Sequence, residues 1–303
     1  PRLPLLVSWR AHSLHFSLPA RSPGKARLAA ALATCGAWAI DPRPPGEPRV
    51  LCRLPGGESN DSWLLAWGGH RLVLRLDGLD PAAPGLDRAE EVALQGAAAA
   101  AGLAPTPRFG GVDLLVSDYA GGPVNDADRN RRGSVDAGPD PADPAARARL
   151  LRAIHALQVP ARRLVPAAYL RACEARAGTV PTALPALARE HCAALAAPGD
   201  DPVLCHNDLT GANCLRHRGR LLAIDWEYAA RGNRWLDLAR AAGDCGAAVE
   251  AYLGRSPTGE ERGALAAARA LLPYLDALWY ALHGRGDAVD WYAVRRALEA
   301  VHD

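Results

Sequence analysis

Several residue types are scarce in this sequence of 303 residues. It has no methionine, two phenylalanines and, at Lys25, a single lysine, while alanine, arginine, glycine and proline are abundant. This bias is typical of a GC-rich, bacterial genome and carries no functional information. No uninterrupted apolar run approaches the roughly 20 residues needed to span a bilayer, so we expect no membrane insertion.

Disulfide and zinc motifs are also lacking. The seven cysteines are odd in number and scattered, with no Cys-x-x-Cys pair. That pattern argues against a disulfide framework or a structural zinc site and predicts a reduced, cytoplasmic setting.

The charge distribution is close to balanced. Residues 1–40 carry five basic groups and no acid, which leaves 30 basic against 33 acidic residues in the rest of the chain. No basic patch typical of nucleic-acid binding is present, and we expect no nucleic-acid partner. Residues 1–25 hold apolar, Arg and Ser residues broken by proline and are expected to form a disordered extension.

One stretch concentrates residues that can carry chemistry. It runs His206-Asn207-Asp208-Leu209-Thr210-Gly211-Ala212-Asn213. Small residues between Asp208 and Asn213 favour a tight loop, and the two partly apolar runs that follow, separated by Arg218-Gly219, predict a β-hairpin. Folding this hairpin back brings Asp225 beside Asp208 and Asn213. Oxygen ligands in this number suit Mg²⁺, and Asp208 is placed to take a proton from a hydroxyl.

This arrangement resembles the kinase catalytic loop, in which an Asp acts as base, an Asn five residues later holds metal, and a second Asp follows a hairpin. The strings His-Asn-Asp-Leu and Ile-Asp-Trp-Glu-Tyr-Ala, with Asp237-Leu238-Ala239 after them, resemble the aminoglycoside phosphotransferase and choline kinase superfamily. They look most like its choline, ethanolamine and thiamine kinase branch. By this resemblance Asn213 and Asp225 would bind the metal, and Asp237 would brace the loop. The alternative is that two acidic turns merely flank an ordinary hairpin.

A phosphate-binding region is expected upstream. Residues 49–54 and 63–67 read as strands around a glycine-containing turn, whose backbone N–H groups could cradle an anion. The candidates for nucleotide binding in this turn are Gly56, Gly57, Ser59 and Asn60.

The next strand, residues 71–76, carries Arg75 where related kinases have the phosphate-binding lysine. The resemblance makes Glu91 its partner on the following helix, with Glu90 as the rival. By resemblance alone, Asp118 and Tyr119 would form the hinge that contacts adenine.

The resemblance implies an α+β, protein-kinase-like fold with two lobes: a small antiparallel sheet plus helix, and a larger, mostly helical lobe. The expected boundaries are 26–122 for the nucleotide-binding lobe and hinge, and 123–303 for the catalytic and substrate-binding lobe. Residues 124–146 are poor in large apolar side chains and are expected to form a flexible insert. From residue 147 the apolar spacing is helical.

Aromatic residues are concentrated in the C-terminal helices. In choline kinases, aromatics from this region surround a quaternary ammonium group through cation–π contacts. Trp279, Tyr280 and Asp276 are therefore candidates for substrate binding, with Glu227 supporting substrate or metal. For any single aromatic residue, packing in the helical core is the alternative.

Together these features predict an ATP- and Mg²⁺-dependent phosphotransferase acting on a hydroxyl of a small, cationic metabolite of the choline, ethanolamine or thiamine type. An antibiotic kinase like the aminoglycoside 3'-phosphotransferases is a second candidate. A nucleotide-binding pseudokinase with a regulatory role is the third, although the presence of Asp208, Asn213 and Asp225 argues against it.

Overall fold

The computed structural model describes residues 25–55, 60–78, 83–121, 139–178, 180–195 and 202–300. Its N-terminal part is a five-stranded antiparallel sheet in the order β1-β2-β3-β5-β4. The part that follows is mainly helical, as the α+β, kinase-like prediction requires. Two segments that the sequence predicts to be disordered or flexible, the N-terminal extension and the 124–146 insert, lie mostly outside the described residues.

The first lobe contains two helices and the sheet. Asp87 caps the second helix by accepting a hydrogen bond from the backbone N–H of Glu90, at 3.0 Å. The elements are α1 (Lys25–Ala33), β1 (Arg49–Arg53), β2 (Asn60–Trp67), β3 (His70–Asp77), α2 (Arg88–Ala100), β4 (Pro107–Gly110) and β5 (Leu114–Asp118).

Alternation along β3 separates the core from the cleft. Leu72 and Leu74 are fully buried in the apolar cluster beneath the sheet. Because successive strand side chains point to opposite faces, Arg75 lies on the other face, where it is also buried, at 8% exposure. Burying a guanidinium requires charged partners, and these come from α2 and from the second lobe.

The second lobe packs its helices around a separate apolar core. The long helix α8 begins with a capping box, in which Thr258 and Glu261 bond to each other's backbone N–H groups. The helices are α3 (Pro144–His155), α4 (Pro166–Arg176), α5 (Leu184–Ala194), α6 (Arg234–Ala242), α7 (Gly246–Leu253), α8 (Gly259–Leu282) and α9 (Trp291–Glu299).

Two short strand pairs carry the segments around Asp208 and Asp225. β6 (Val203–Cys205) pairs with β9 (Ala230–Gly232), and β7 (Cys214–His217) forms with β8 (Arg220–Ala223) the hairpin that the sequence predicts. The loop between β6 and β7 and the segment after β8 therefore emerge side by side.

Two element boundaries differ from the sequence prediction by three residues. The helix expected from residue 147 begins at Pro144, because Asp143 caps its first turn and proline is favourable at the first helical position. Asn60 was assigned to a turn but begins β2, where it faces Asp77 in the register.

The sequence predicts neither a membrane-spanning helix nor a disulfide framework, and the described residues can be compared with both predictions. No helix among them is both long and apolar enough to cross a membrane. All seven cysteines lie in the described ranges, and each is a free thiol.

Candidate active site

The loop from His206 to Asn213 is fixed by a buried carboxylate. Asp237, at 1% exposure, accepts hydrogen bonds from the backbone N–H groups of His206 (2.7 Å) and Asn207 (2.8 Å), and it contacts His155 Nε2 at 3.0 Å. Burial acts to raise the pKa of Asp237, but these hydrogen bonds and the two histidines leave it below its ordinary value. An ionised Asp237 thus holds the loop that carries Asp208.

His206 ties this loop to the segment after β8. Its Nε2–H donates to the Ile224 carbonyl at 3.0 Å, which leaves Nδ1 to accept weakly from the Asp208 N–H at 3.4 Å. Burial lowers the pKa of His206, which favours this neutral form. The Ile224 N–H in turn donates to the Asn213 carbonyl at 3.0 Å. Asp208, Asn213 and Asp225 are brought together by these bonds.

Two residues of the site adopt a backbone conformation that side chains rarely take. Asn207 has φ 65° and Asp225 has φ 66°. Such conformations cost about 1–3 kcal/mol each and occur often at functional sites. At Asn207 the side chain offsets part of that cost, because Nδ2 donates to the Tyr228 carbonyl at 2.8 Å.

Asp208 and Asn213 are in direct contact. Asn213 Nδ2 donates to Asp208 Oδ2 at 2.7 Å and to the Asp208 carbonyl at 2.9 Å. Burial raises the pKa of Asp208 to about 6, with Arg240 acting to lower it and Asp276 to raise it. A carboxylate with that pKa is ionised at neutral pH and more basic than an ordinary Asp, which suits a general base.

Arg75 joins the two lobes. Its guanidinium contacts Asp77 through Nε (3.0 Å), Glu91 through Nη2 (2.7 Å) and Asp225 through Nη1 (3.0 Å). Of the two glutamates considered from sequence, Glu91 is the partner. Glu90 instead accepts from Arg162 Nε at 2.8 Å, forming a second contact between lobes.

Arg88 is a residue of this network that sequence reasoning missed. Its Nη1 lies 3.0 Å from Glu91 Oε2 and 2.9 Å from Glu227 Oε2, and its Nε lies 2.8 Å from Asp77 Oδ2. Glu227 also accepts from Asn60 Nδ2 at 3.3 Å. The signal was available, since Arg88 precedes Glu91 by three residues on one helix face.

Asp225 has an excess of negative charge around it. Its pKa is raised, first by burial and then by Glu227, although Arg75 opposes the shift. Within the described part of the chain, one oxygen each of Asp208, Asn213, Asp225 and Glu227 accepts no hydrogen bond, and all four residues line one cavity. Hard oxygen donors with surplus negative charge fit a divalent cation such as Mg²⁺.

The cavity has a volume of about 500 Å³, and residues from three helices line it together with Asp208. We call their lining the helical wall: the residues that α4, α6 and α8 contribute to the cavity. Trp279, Tyr280 and Asp276 all belong to it, as the sequence predicts. Trp279 Nε1 donates to the Tyr228 hydroxyl at 2.9 Å, which fixes its ring.

Asp276 forms an ion pair within the helical wall. Arg240, which the sequence analysis did not consider, contacts it through both terminal nitrogens, at 3.0 and 2.5 Å. Arg240 lies three residues beyond Asp237 on α6, so the helix that braces the loop also faces the cavity.

The structure describes only some of the residues that are predicted to contact the nucleotide. Gly56, Gly57 and Ser59 lie outside the described residues. Asp118 binds Arg108 through both carboxylate oxygens, at 2.8 and 2.7 Å. The backbone N–H groups of Asp118 and Tyr119 donate to the carbonyls of Thr106 and Arg71, both at 2.9 Å. These two N–H groups are therefore already hydrogen-bonded within the protein.

Comparison with known proteins identifies the family. The model of the phosphotransferase enzyme family (APH) matches residues 50–281. This match includes the sheet, both catalytic segments and nearly all of α8. The chain belongs to the phosphotransferase enzyme family. It is a small-molecule kinase of that family, and no curated protein matches its sequence significantly.

Solved structures of the same fold include kinases with different substrates. A choline/ethanolamine kinase family protein from Mesorhizobium loti superposes with a TM-score of 0.65 at 21% identity, covering 90% of this chain and 95% of that one. Choline kinase LicA from Streptococcus pneumoniae gives 0.63 at 18% identity, covering 82% and 94%. Macrolide 2'-phosphotransferase MphH from Brachybacterium faecium gives 0.53 at 21% identity, covering 91% and 99%. At these identities the phosphotransferase shares their fold, and its substrate is not determined by them.

Proposed function

We propose that this phosphotransferase transfers the terminal phosphate of ATP, with Mg²⁺, to the hydroxyl of a small amino alcohol of the choline, ethanolamine or thiamine type. The observation that supports it most is the meeting of Asp208, Asn213 and Asp225 at one cavity whose lining also includes apolar and aromatic residues. These three residues would supply the base and the metal ligands, and the apolar and aromatic residues would bind the acceptor.

Asp208 would accept the proton of the acceptor hydroxyl. Its raised pKa and the hydrogen bond from Asn213 leave one oxygen free to receive that proton in the cavity. Asp237 would act indirectly, because it holds the backbone of the two residues before Asp208.

Asn213 and Asp225 would hold the metal, with Glu227 adjoining them. Bound Mg²⁺ supplies positive charge that offsets the charge of the phosphates. Arg75 is set to place the phosphates against these ligands, since the same guanidinium contacts Asp225 and is fixed on its other edges by Glu91 and Asp77. Residues 56–59, which lie outside the described residues and which the sequence predicts to form a turn, are the proposed cradle for the phosphate oxygens.

The amino-alcohol class rests on the aromatic members of the cavity lining. Tyr169, Tyr228, Trp279 and Tyr280 all contribute to it. Aromatic faces attract a quaternary or protonated amine. Choline and ethanolamine kinases of similar fold are consistent with this class.

An antibiotic kinase is the second candidate, and the likeness to a macrolide phosphotransferase favours it. Aminoglycosides fit less well. Such polycations need unpaired acidic groups, and the wall carboxylate Asp276 is already neutralised by Arg240.

The test is product formation with purified protein, ATP and Mg²⁺ against choline, ethanolamine, thiamine, erythromycin and kanamycin, with phosphate esters identified by mass spectrometry. We expect one amino alcohol of the first three to be phosphorylated. Phosphorylation of kanamycin alone, or of erythromycin alone, would replace the amino-alcohol proposal with the antibiotic one.

A further inference from the structure

The helical wall is dominated by aliphatic side chains. Leu272 and Leu275 of α8 are only partly buried and present apolar surface to the cavity. Leu170 of α4, Leu236 of α6 and Leu271 of α8 also border it but are 2%, 8% and 1% exposed. A wall of this composition gains free energy by removing apolar surface of a ligand from water, at a rate proportional to the area covered. It offers few partners to a ligand that is polar on all sides.

The charges in this wall cancel. Arg240 and Asp276 form a two-point ion pair, and among the described residues of the wall no other charged side chain lines the cavity. The fork geometry of arginine matches both carboxylate oxygens, so Asp276 is already bonded where a ligand cation would bind. Approach of a second or third positive charge would meet Arg240 as well.

The aromatic residues leave limited area for a cation. His283 packs against Trp279 with ring centroids 4.2 Å apart, and the Arg285 guanidinium carbon lies 5.8 Å from the Tyr280 centroid. Trp279 and Tyr280 therefore each have one side covered by a basic residue of the protein. These two rings offer a ligand cation one face each.

The cavity is also larger than a short amino alcohol requires. At roughly 30 Å³ for each non-hydrogen atom, the volume a water molecule takes in the liquid, choline would fill only about 200 Å³. The cavity measures about 500 Å³. Even with room reserved for the transferred phosphate, space remains beside the leucines.

We propose that the acceptor is a monocationic amino alcohol carrying an apolar group of several carbons, which the leucines of α4, α6 and α8 cover, and that the Arg240–Asp276 pair excludes polycations. This inference rests on the proposed function, because it describes the acceptor of the same site. It differs in naming an apolar group that choline and ethanolamine lack.

The first test uses a homologous series in which one methyl of choline is replaced by ethyl, butyl and hexyl chains. Binding to the full-length protein is measured by calorimetry with Mg²⁺ and a non-hydrolysable ATP analogue, so the result does not depend on turnover. We expect affinity to rise about threefold to fourfold for each methylene that enters the cavity.

Affinity that stays flat or falls from choline to the hexyl compound would overturn the inference, as would absence of binding across the whole series. Phosphorylation is then assayed on the same compounds. If binding rises with chain length but no phosphate ester forms, the proposed function fails while the description of the cavity stands.

The second test addresses the ion pair. Arg240→Leu frees the Asp276 carboxylate, so kanamycin binding should tighten roughly twofold to fivefold, the effect of one partly screened charge. The double variant Arg240→Leu/Asp276→Asn should show no gain. Kanamycin binding that is equally tight in Arg240→Leu and in the wild type would contradict the exclusion of polycations by this ion pair. Should Arg240→Leu fold poorly, Arg240→Gln provides the same comparison.

Discussion

Arg75 Nη1 lies 3.0 Å from Asp225 Oδ1, so a strand of the N-terminal sheet and the proposed metal ligand of the other lobe are joined by a direct ion pair. The same guanidinium contacts Glu91 on α2. The position of α2 is thereby linked to the geometry of the catalytic segments.

Arg75→Met removes the cation from this network. Glu91 and Asp77 are 2% and 7% exposed, and each would lose one buried counter-ion while keeping its contact with Arg88. Breaking a buried pair costs about 3–5 kcal/mol, and because Arg88 still offsets part of the charge we expect a loss of about 3 kcal/mol in urea unfolding. Arg53→Met is the matched control: Arg53 is half exposed and pairs with Asp61, and its loss should cost under about 1 kcal/mol. Equal effects of the two substitutions would contradict the buried network.

Asp237→Ala should destabilise the protein and its catalytic loop together. The buried backbone N–H of His206 and the partly buried N–H of Asn207 would lose their acceptor. At about 1–3 kcal/mol for each unsatisfied group, the expected loss is roughly 2–6 kcal/mol. Asp244→Ala, at a fully exposed carboxylate, should change stability little.

The effect of Asp237→Ala depends on pH. Because the folded-state pKa of Asp237 is lowered, its stabilisation is present above the unfolded pKa and is lost as pH falls through the folded value. The difference between wild type and variant should therefore shrink on acidification below about pH 4. A difference that grows at low pH would contradict the assignment.

The acid limb of the pH–rate profile should report Asp208. Its pKa is raised to about 6, mainly by burial, so kcat/KM should be full above that pH and fall below it as the base is protonated. Arg240 lowers this pKa and Asp276 raises it. We expect Arg240→Leu to move the limb to higher pH and Asp276→Asn to move it to lower pH. Shifts in the same direction would show that another group controls the limb.

Trp279→Ala should weaken acceptor binding without affecting the chemical step. The indole lines the cavity and is oriented by Tyr228, so its loss should raise KM for the acceptor about tenfold at a nearly constant kcat. Trp279→Phe keeps an aromatic face but removes the hydrogen bond, and it should give a smaller rise. An unchanged KM in Trp279→Ala would remove this residue from the acceptor site.

Sequence reasoning was sufficient where spacing determines geometry. The hairpin that returns Asp225 to Asp208 follows from two short apolar runs around Arg218-Gly219, and the structure has it. The α+β, kinase-like fold is likewise confirmed. The pairing of Arg75 with Glu91 rather than Glu90 needed the structure, since neighbouring helix positions differ by about 100° in direction and only the packing of α2 decides which faces β3.

The acceptor side was less accessible from sequence. Trp279 and Asp276 were found through their aromatic neighbourhood, but Arg240 sits 36 residues earlier and carries no local signal for its ion pair. Tyr169 and Tyr228 were missed for the same reason: their places in the cavity lining arise from contacts between distant segments. Tyr169, for example, packs so closely against Gly85 that a Cβ atom at residue 85 would lie 3.0 Å from the tyrosine ring. Arg88 differs, because its i,i+3 spacing to Glu91 was a local signal.

The central claim is that Asp208 is the base for phosphate transfer to the acceptor hydroxyl. The most direct measurement is ADP formation by Asp208→Asn at saturating ATP, Mg²⁺ and the best acceptor, with ATP affinity measured in parallel and Glu260→Gln, an exposed site on α8, as control. We predict that kcat falls about 10²- to 10⁴-fold with ATP affinity nearly unchanged, while the control behaves as wild type. Near-normal kcat in Asp208→Asn would contradict the account.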